Sequence, residues 1–133
     1  MTREDKELLF KDLCARLPYG VKVQCEDYLF PFDKDHMGIG MLYHDFNGNP
    51  LESPKIILSG CYYGEDIKPY LFPMSSMSDE QLPYYITTLK YSEETRGMVE
   101  TPNSFDWLNK NHYDYRGLIE KGLALDATGL NIY

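Results

Sequence analysis

The densest group of side chains that could do chemistry is the segment Asn111-His112-Tyr113-Asp114-Tyr115-Arg116. Tyrosine and arginine combine a large contact area with hydrogen-bonding ends, so such a segment is typical of a recognition surface. The same segment also fits a corner between two helices, in which Asp114 caps the second helix and the tyrosines pack on a sheet. The sequence leaves both interpretations open.

Two further aromatic groups raise the same question. Tyr62-Tyr63 and Tyr70-Leu71-Phe72 lie in stretches that we expect to be strands, where successive side chains point to opposite faces. One side chain of each group should therefore point inward and the next outward. Our candidate binding surface unites all three groups and comprises Tyr62, Tyr63, Tyr70, Phe72, His112, Tyr113, Tyr115 and Arg116.

The histidines and cysteines lack the spacing of a catalytic or metal-binding motif. His36, His44 and His112 do not show the helical i, i+4 spacing of zinc proteases, so we expect surface or turn histidines. Cys14, Cys25 and Cys61 lie among apolar neighbours, and we expect small buried residues without disulfide bonds. We therefore predict no catalytic residue and no cofactor. An enzyme that pairs Cys25 or Cys61 with a histidine remains the third hypothesis.

One stretch begins like a calcium-binding loop. After Asp45-Phe46-Asn47-Gly48-Asn49 the loop would need glycine at its sixth position and glutamate at its twelfth, but these positions hold Pro50 and Ile56. We predict a tight turn there, since Asn-Gly is favoured in hairpins, and no metal site.

The composition excludes several classes of function. The 133 residues carry a net charge of −8, spread evenly along the chain, so there is no basic patch for gripping nucleic acid by its phosphates. No apolar run reaches the roughly 20 residues of a membrane-spanning helix, and the charged start is not a signal peptide. We expect one cytoplasmic domain spanning 1–133, with no membrane contact. The 12 tyrosines are an unusually large number for this length.

A helix should open the chain. Thr2 and Asp5 resemble a capping box, and Pro18-Tyr19-Gly20 should end the helix. Its predicted apolar stripe consists of Leu9, Leu13 and Leu17, widened by Phe10 and Cys14. The opposite, polar side should carry Lys6, Glu7, Lys11 and Asp12.

Strands should follow, and short helices should close the chain. Alternation and β-branched content predict strands at 21–26, 36–44, 55–63 and 67–72, with an edge strand or loop at 28–32. Residues 38 and 40 are glycines, which indicate a bulge or bend. We favour a helix over a strand for 84–91, then a loop at 93–102, helices at 104–111 and 114–121, and an extended tail at 123–125. The predicted class is α+β: an N-terminal helix, a small antiparallel sheet or partly open barrel of about four strands, and two or three short C-terminal helices.

Three stretches carry a resemblance to a family. They are Asp12-Leu13-Cys14-Ala15-Arg16-Leu17-Pro18-Tyr19-Gly20-Val21-Lys22-Val23, then Lys68-Pro69-Tyr70-Leu71-Phe72-Pro73-Met74-Ser75-Ser76-Met77-Ser78, and Asp106-Trp107-Leu108-Asn109-Lys110 with its continuation at 114–124. They resemble small proteins encoded by gut bacteria, their prophages and their phages. Phe72 stands where that family has a basic residue, and 28–67 departs most. The resemblance implies no activity, but it implies a cytoplasmic host–phage setting in which small proteins act by binding.

Our leading hypothesis is therefore a non-catalytic binding module that acts on a protein partner. The alternative is a binder of a small, nucleotide-like ligand that uses tyrosine stacking and backbone amides. The sequence does not determine the partner or the oligomeric state.

Overall fold

A computed structural model describes residues 2–25, 28–31, 39–45, 47–58, 62–64 and 67–133. It confirms the α+β class, with open sheets. The helices are α1 (Arg3–Arg16), α2 (Leu82–Thr87) and α3 (Pro102–Lys110), with 3-10 turns at Leu17–Tyr19 and Met74–Ser76. The strands are β1 (Lys22–Cys25), β2 (Tyr28–Pro31), β3 (Ile39–His44), β4 (Pro50–Leu58), β5 (Tyr62–Gly64), β6 (Lys68–Pro73), β7 (Lys90–Ser92), β8 (Gly97–Val99), β9 (Tyr113–Asp114) and β10 (Leu125–Asp126).

Helix α1 begins and ends as predicted. The Thr2 hydroxyl accepts a hydrogen bond from the Asp5 backbone N–H at 3.0 Å, and the Asp5 carboxylate accepts one from the Thr2 N–H at 3.3 Å. Beyond Leu17–Tyr19 the chain leaves the helix through Gly20, whose φ of 69° is a left-handed conformation that suits glycine.

The predicted division of α1 into an apolar and a polar side is partly wrong. Leu9 and Leu13 are buried as expected, but Cys14 is exposed, whereas Lys6 and Asp12 are buried. The reason is that α1 is covered on more than one side. It packs against β3, β4 and α3, and Arg16 in its last turn bonds to Tyr113.

Strand β6 organises the largest sheet. It pairs antiparallel with β1 and parallel with both β9 and β10, while β2 lies at the far edge beyond β1. Strands β3, β4 and β5 form a separate antiparallel sheet, and β7 and β8 form a hairpin. The core lies between α1 and these sheets and includes Leu9, Leu13, Val21, Val23, Ile56, Ile67, Leu71, Leu118, Leu123 and Ala124.

The middle of the chain divides differently from the prediction. The strand expected at 55–63 is two antiparallel strands, β4 and β5, with Leu58 opposite Tyr62. Strand β4 begins at Pro50 because it directly follows the predicted Asn47-Gly48 turn, where the Asp45 carboxylate accepts the N–H groups of Asn47 and Asn49, each at 2.9 Å. The irregularity in β3 lies between Leu42 and His44. Gly40 pairs regularly with Ile57, and residue 38 lies outside the described residues.

The last third of the chain contains four corrections. Helix α2 ends at Thr87, and residues 90–99 form a hairpin where a helix end and a loop were expected. Thr101, not Ser104, caps α3, and Ser104 is its capping-box partner. Residues 117–122 form turns, not a helix, because the Asp114 carboxylate accepts two N–H groups there and glycines 117 and 122 have positive φ. Of the extended tail predicted at 123–125, only Leu125 lies in a strand, β10, while residues 123 and 124 form a bend.

Candidate functional site

A groove runs between α1 and α3. Lys11 and Ala15, one turn apart on α1, line one wall, and α3 lines the other with Phe105, Asp106 and Asn109. Pro102, Tyr115 and Arg116 complete the lining. The groove has a volume of about 520 Å³ and is open to solvent. Ala15 presents only a methyl group to the groove.

A buried ionic network lies behind this groove. The Asp12 carboxylate accepts a hydrogen bond from Arg16 Nε at 2.9 Å and another from Arg116 Nη1 at 2.7 Å. Arg16 Nη2 also donates to the backbone oxygen of Tyr113 at 2.5 Å. The side chains of Asp12 and Arg16 are 0% exposed, so the network is shielded from solvent and from screening by salt.

The network leaves positive charge beside the groove. Two guanidinium groups share one carboxylate, so Asp12, Arg16 and Arg116 together carry one excess positive charge. Lys11 adds a second cation to the lining, and Asp106 adds one anion. The groove is thus locally cationic in a chain of net charge −8.

Tyr115 forms an aromatic wall with Phe105. The two ring centroids are 5.1 Å apart, and the Tyr115 hydroxyl donates to Asn109 Oδ1 at 2.9 Å. The guanidinium carbons of Arg116 and Arg16 lie 4.6 and 5.4 Å from the Tyr115 ring centroid. These contacts fix the ring and favour cation–π attraction to both arginines.

The segment from His112 to Leu118, with Asp12 and Arg16 that it contacts, is here called the buried corner. His112 has a positive φ of 63°, and its ring stacks on Tyr133 with centroids 3.8 Å apart and planes 14° apart. Burial, with smaller contributions from Arg16 and Lys22, lowers the pKa of His112 to about 4. His112 is therefore neutral at pH 7.

The tail residue Tyr133 ties this region to two strands. Its hydroxyl accepts a hydrogen bond from the Lys22 N–H at 2.9 Å and donates one to the Tyr70 backbone oxygen at 2.7 Å. The Lys22 ammonium donates to the Ile132 backbone oxygen. Burial raises the pKa of Tyr133 to about 12, so its hydroxyl stays protonated and able to donate.

A second region differs in character. Residues 78–100, which comprise α2 and the β7–β8 hairpin, are here called the hairpin lobe. Tyr91 and Met98 are directly opposite each other across the hairpin, and they are 57% and 53% exposed. Helix α2 adds three exposed apolar side chains, Leu82, Tyr84 and Ile86.

The lobe is fixed to α3 from within. The backbone oxygen of Thr88 accepts hydrogen bonds from the hydroxyls of Thr101 at 2.8 Å and Ser104 at 2.9 Å. The rings of Tyr85 and Trp107 are 5.8 Å apart, and Trp107 in turn stacks on Tyr113 at 5.7 Å. The exposed side chains therefore stand on an ordered support.

The structure separates the predicted surface residues into different settings. His112 and Tyr113 are buried in the corner, and Phe72 is half-buried between the rings of Tyr113 and Tyr133. Tyr115 and Arg116 line the groove, and Tyr70 is half-buried beside Tyr133. Tyr62 and Tyr63 lie in β5, but their side chains are outside the described part of the molecule.

The corner interpretation of 111–116 therefore accounts for most of that segment. Asp114 caps the following backbone as expected, although it caps a turn and not a helix. The prediction of surface or turn histidines is half right for His112, which lies in a turn but is buried. His44 is exposed at the end of β3.

The sequence reasoning missed the groove wall on α3 and the hairpin lobe. The i, i+4 spacing of Asp12 and Arg16 was a signal for a helix ion pair. In the lobe, Tyr91 and Met98 lie on either side of Glu93-Glu94-Thr95-Arg96, so a short polar turn between strands was readable there. The sequence analysis predicted a loop at 93–102 instead.

The cysteine hypothesis is open for two residues. Cys14 is exposed, but partial desolvation raises the pKa of its thiol, which keeps this residue protonated at neutral pH. Residues 36 and 61 and the side chain of residue 25 lie outside what the structure describes. Within the described residues there is no group of three or more His, Cys, Asp or Glu placed to hold a metal, and no helix long and apolar enough to cross a membrane.

Comparisons of the chain with protein-family models, with curated proteins and with solved structures found no match. The resemblance drawn from the three sequence stretches stays a prediction.

Proposed function

We propose that this protein is a non-catalytic binding module that docks a protein partner on the hairpin lobe. The observation that carries the proposal is the pair Tyr91–Met98, which is aligned across the hairpin and more than half exposed. Tyrosine and methionine are enriched at protein interfaces, and removing their apolar surface from water contributes roughly 25 cal/mol per Å².

The support beneath these side chains lowers the cost of binding. The hydrogen bonds to Thr88 and the Tyr85–Trp107 contact hold the lobe on α3 before any partner arrives. A partner would therefore order few additional groups, and more of the gain from burial would be left as affinity.

Charge defines the partner's chemistry. The exposed ionic side chains of the lobe and its ends are mostly acidic: Asp79, Glu80, Glu93, Glu94 and Glu100 against Lys90 and Arg96. The complementary surface is an apolar patch rimmed by lysine and arginine. A second copy of this chain would bring acidic rim against acidic rim, so we propose a different protein.

The test compares capture by three forms of the protein. Wild type, the double variant Tyr91→Ser/Met98→Ser and the control Leu130→Ser are immobilised and exposed to a bacterial lysate, the source that the family resemblance indicates. Leu130 is 53% exposed and lies outside the lobe, so this variant removes exposed apolar surface at a different place on the molecule. The captured protein is then purified, and its affinity for each form is measured at low and high salt.

We expect wild type and Leu130→Ser to bind the purified partner equally. The double variant should bind about ten-fold or more weakly, which corresponds to roughly 1.4 kcal/mol. Binding should weaken as salt rises, because the rims attract each other. Equal affinity of all three forms would overturn the proposal. If sedimentation shows that the wild type is a dimer and the double variant a monomer, the lobe binds a second copy of this chain instead.

A further inference from the structure

We propose that the groove between α1 and α3 is a separate small-molecule site for a nucleoside monophosphate. The proposal shares no residue with the hairpin lobe and does not depend on protein docking. It starts from charge: Lys11 lines the groove, and the network of Asp12, Arg16 and Arg116, whose Arg116 also lines the groove, carries one excess positive charge. An anion is favoured here, although the chain as a whole repels anions.

Arg116 is held ready to bind such a group. Its Nη1 is fixed by Asp12 at 2.7 Å, and its guanidinium lies 4.6 Å from the Tyr115 ring centroid. A guanidinium has five N–H donors, so holding Asp12 does not exhaust it. A phosphate oxygen pair matches the planar fork of the remaining donors, and little side-chain entropy is left to lose.

The rest of the lining matches a nucleoside better than a free anion. Phe105, which is 38% exposed and is held against Tyr115, supplies the aromatic ring on which a planar base can pack, and Ala15 and Pro102 add apolar surface. The Asp106 carboxylate supplies an acceptor for ribose hydroxyls or a base amino group. A volume of about 520 Å³ lies within the range of small-molecule sites.

The charge count limits the ligand to one phosphate. The lining supplies Lys11 and Arg116 as cations and Asp106 as an anion, and the surrounding chain has a net charge of −8. A triphosphate or a nucleic acid strand would bring several negative charges to a site whose groups, with the network behind them, carry a net charge of about +1. We therefore assign the monophosphate.

Isothermal calorimetry with four probes tests this assignment: AMP, adenosine, inorganic phosphate and 4-hydroxybenzoate. The last is an aromatic anion that has neither ribose nor phosphate. We expect AMP to bind at least ten-fold more tightly than adenosine or phosphate, because only AMP reaches both the cations and the aromatic wall. GMP, CMP and UMP then rank the base. Failure of all four nucleotides to bind at about 10 mM, or binding of 4-hydroxybenzoate alone, would overturn the proposal.

Three variants locate the site. Lys11→Gln should weaken AMP binding about three- to ten-fold and leave adenosine unchanged, because it removes a phosphate contact only. Ala15→Leu should weaken AMP binding at least ten-fold, because the larger side chain narrows the groove while every charge remains. The control is Lys110→Gln, which removes an exposed cation from α3 outside the groove and should have no effect.

The lobe variant separates this proposal from the proposed function. Tyr91→Ser/Met98→Ser should bind AMP as wild type does, whatever it does to protein capture. AMP binding that is unchanged in both Lys11→Gln and Ala15→Leu would place the nucleotide elsewhere and overturn the groove assignment. Circular dichroism and thermal unfolding of each variant show that a lost signal is not a lost fold.

Discussion

The buried corner and the hairpin lobe use similar residues in opposite ways. In the corner, Tyr113 is 3% exposed, and hydrogen bonds join residues 97 and 104 positions apart. In the lobe, Tyr84 is 67% exposed, and the hydrogen bonds that fix the lobe to its support join residues 13 to 32 positions apart. The corner ties the two ends of the chain together, whereas the lobe is built locally and carries its apolar side chains outward.

This contrast indicates a division of labour. Side chains that hold distant segments together stabilise the fold, so changing them should lower the free energy of unfolding. Side chains that stand in solvent on an ordered support contribute little to the fold, so changing them should affect binding instead. The groove combines a role in the fold with a role in binding, since Tyr115 and Arg116 contact the ionic network and also line the groove.

The largest effect should come from Asp12→Asn. This change leaves Arg16 and Arg116 beside a neutral amide in a site that is 0% exposed, so we expect a loss of about 3–5 kcal/mol in the free energy of unfolding. Urea denaturation followed by circular dichroism measures it. The neighbouring Lys11→Gln is the control and should change stability by less than about 0.5 kcal/mol. An equal, small loss for both variants would mean that the network does not hold the corner.

Trp107→Ala should have the next largest effect, because it acts on both regions. Trp107 stacks on Tyr113 in the corner, with planes 8° apart, and contacts Tyr85 beneath the lobe. We expect a loss of about 2–4 kcal/mol, somewhat below that of a fully buried ring. Hydrogen exchange should also speed up in residues 82–99. A loss below about 1 kcal/mol with unchanged exchange would show that the lobe does not rest on this ring.

A pH-dependent effect should distinguish the corner from the lobe. The pKa of His112 is about 4 in the folded protein against an ordinary 6.5, so between these values the unfolded chain binds the proton and the folded protein does not. Stability should therefore fall as pH drops from 6.5 towards 4, with a slope of at most about 1.4 kcal/mol per pH unit from this group.

The variant His112→Asn isolates this contribution. Asparagine does not titrate and tolerates the left-handed φ of 63° at this position. The difference in unfolding free energy between wild type and variant should shrink as pH falls through this window. A difference that is constant with pH would contradict the burial of a neutral histidine.

The smallest effect should come from Tyr84→Ser in the lobe. Because this side chain is 67% exposed, we expect a change in unfolding free energy within about ±0.5 kcal/mol. Thermal denaturation measures this change, with Asp12→Asn measured in the same way for comparison. A loss above about 1.5 kcal/mol would break the distinction between the two regions, since it would give the lobe a structural role.

Local patterns in the sequence predicted local structure well. The Thr2–Asp5 capping box, the stop at Gly20 and the Asn47-Gly48 turn are set by groups within a few residues of one another, and each forms as expected. The prediction failed at 90–99, because strands of three residues are too short to show a clear alternation of apolar and polar side chains.

The candidate site was predictable only in part. The sequence singled out Tyr115 and Arg116 by residue type, and both line the groove. It assigned Asp12 to the solvent side of α1. The spacing of apolar residues identifies the apolar face of a helix, but it gives no sign of a second face that is buried through ionic contacts. Only the approach of Arg116, 104 positions away, makes burial of that carboxylate favourable.

By itself the sequence determined the class of fold, the first helix with its ends, the turns and an evenly acidic composition. These follow from hydrogen bonds and side-chain spacing within single elements. The tertiary structure alone decided which tyrosines are core and which are surface. A tyrosine side chain can be buried or exposed, and burial is favourable only where the fold supplies a hydrogen-bond partner for its hydroxyl. It also decided where a positive groove lies in a negative protein, because that depends on charges brought together from opposite ends of the chain.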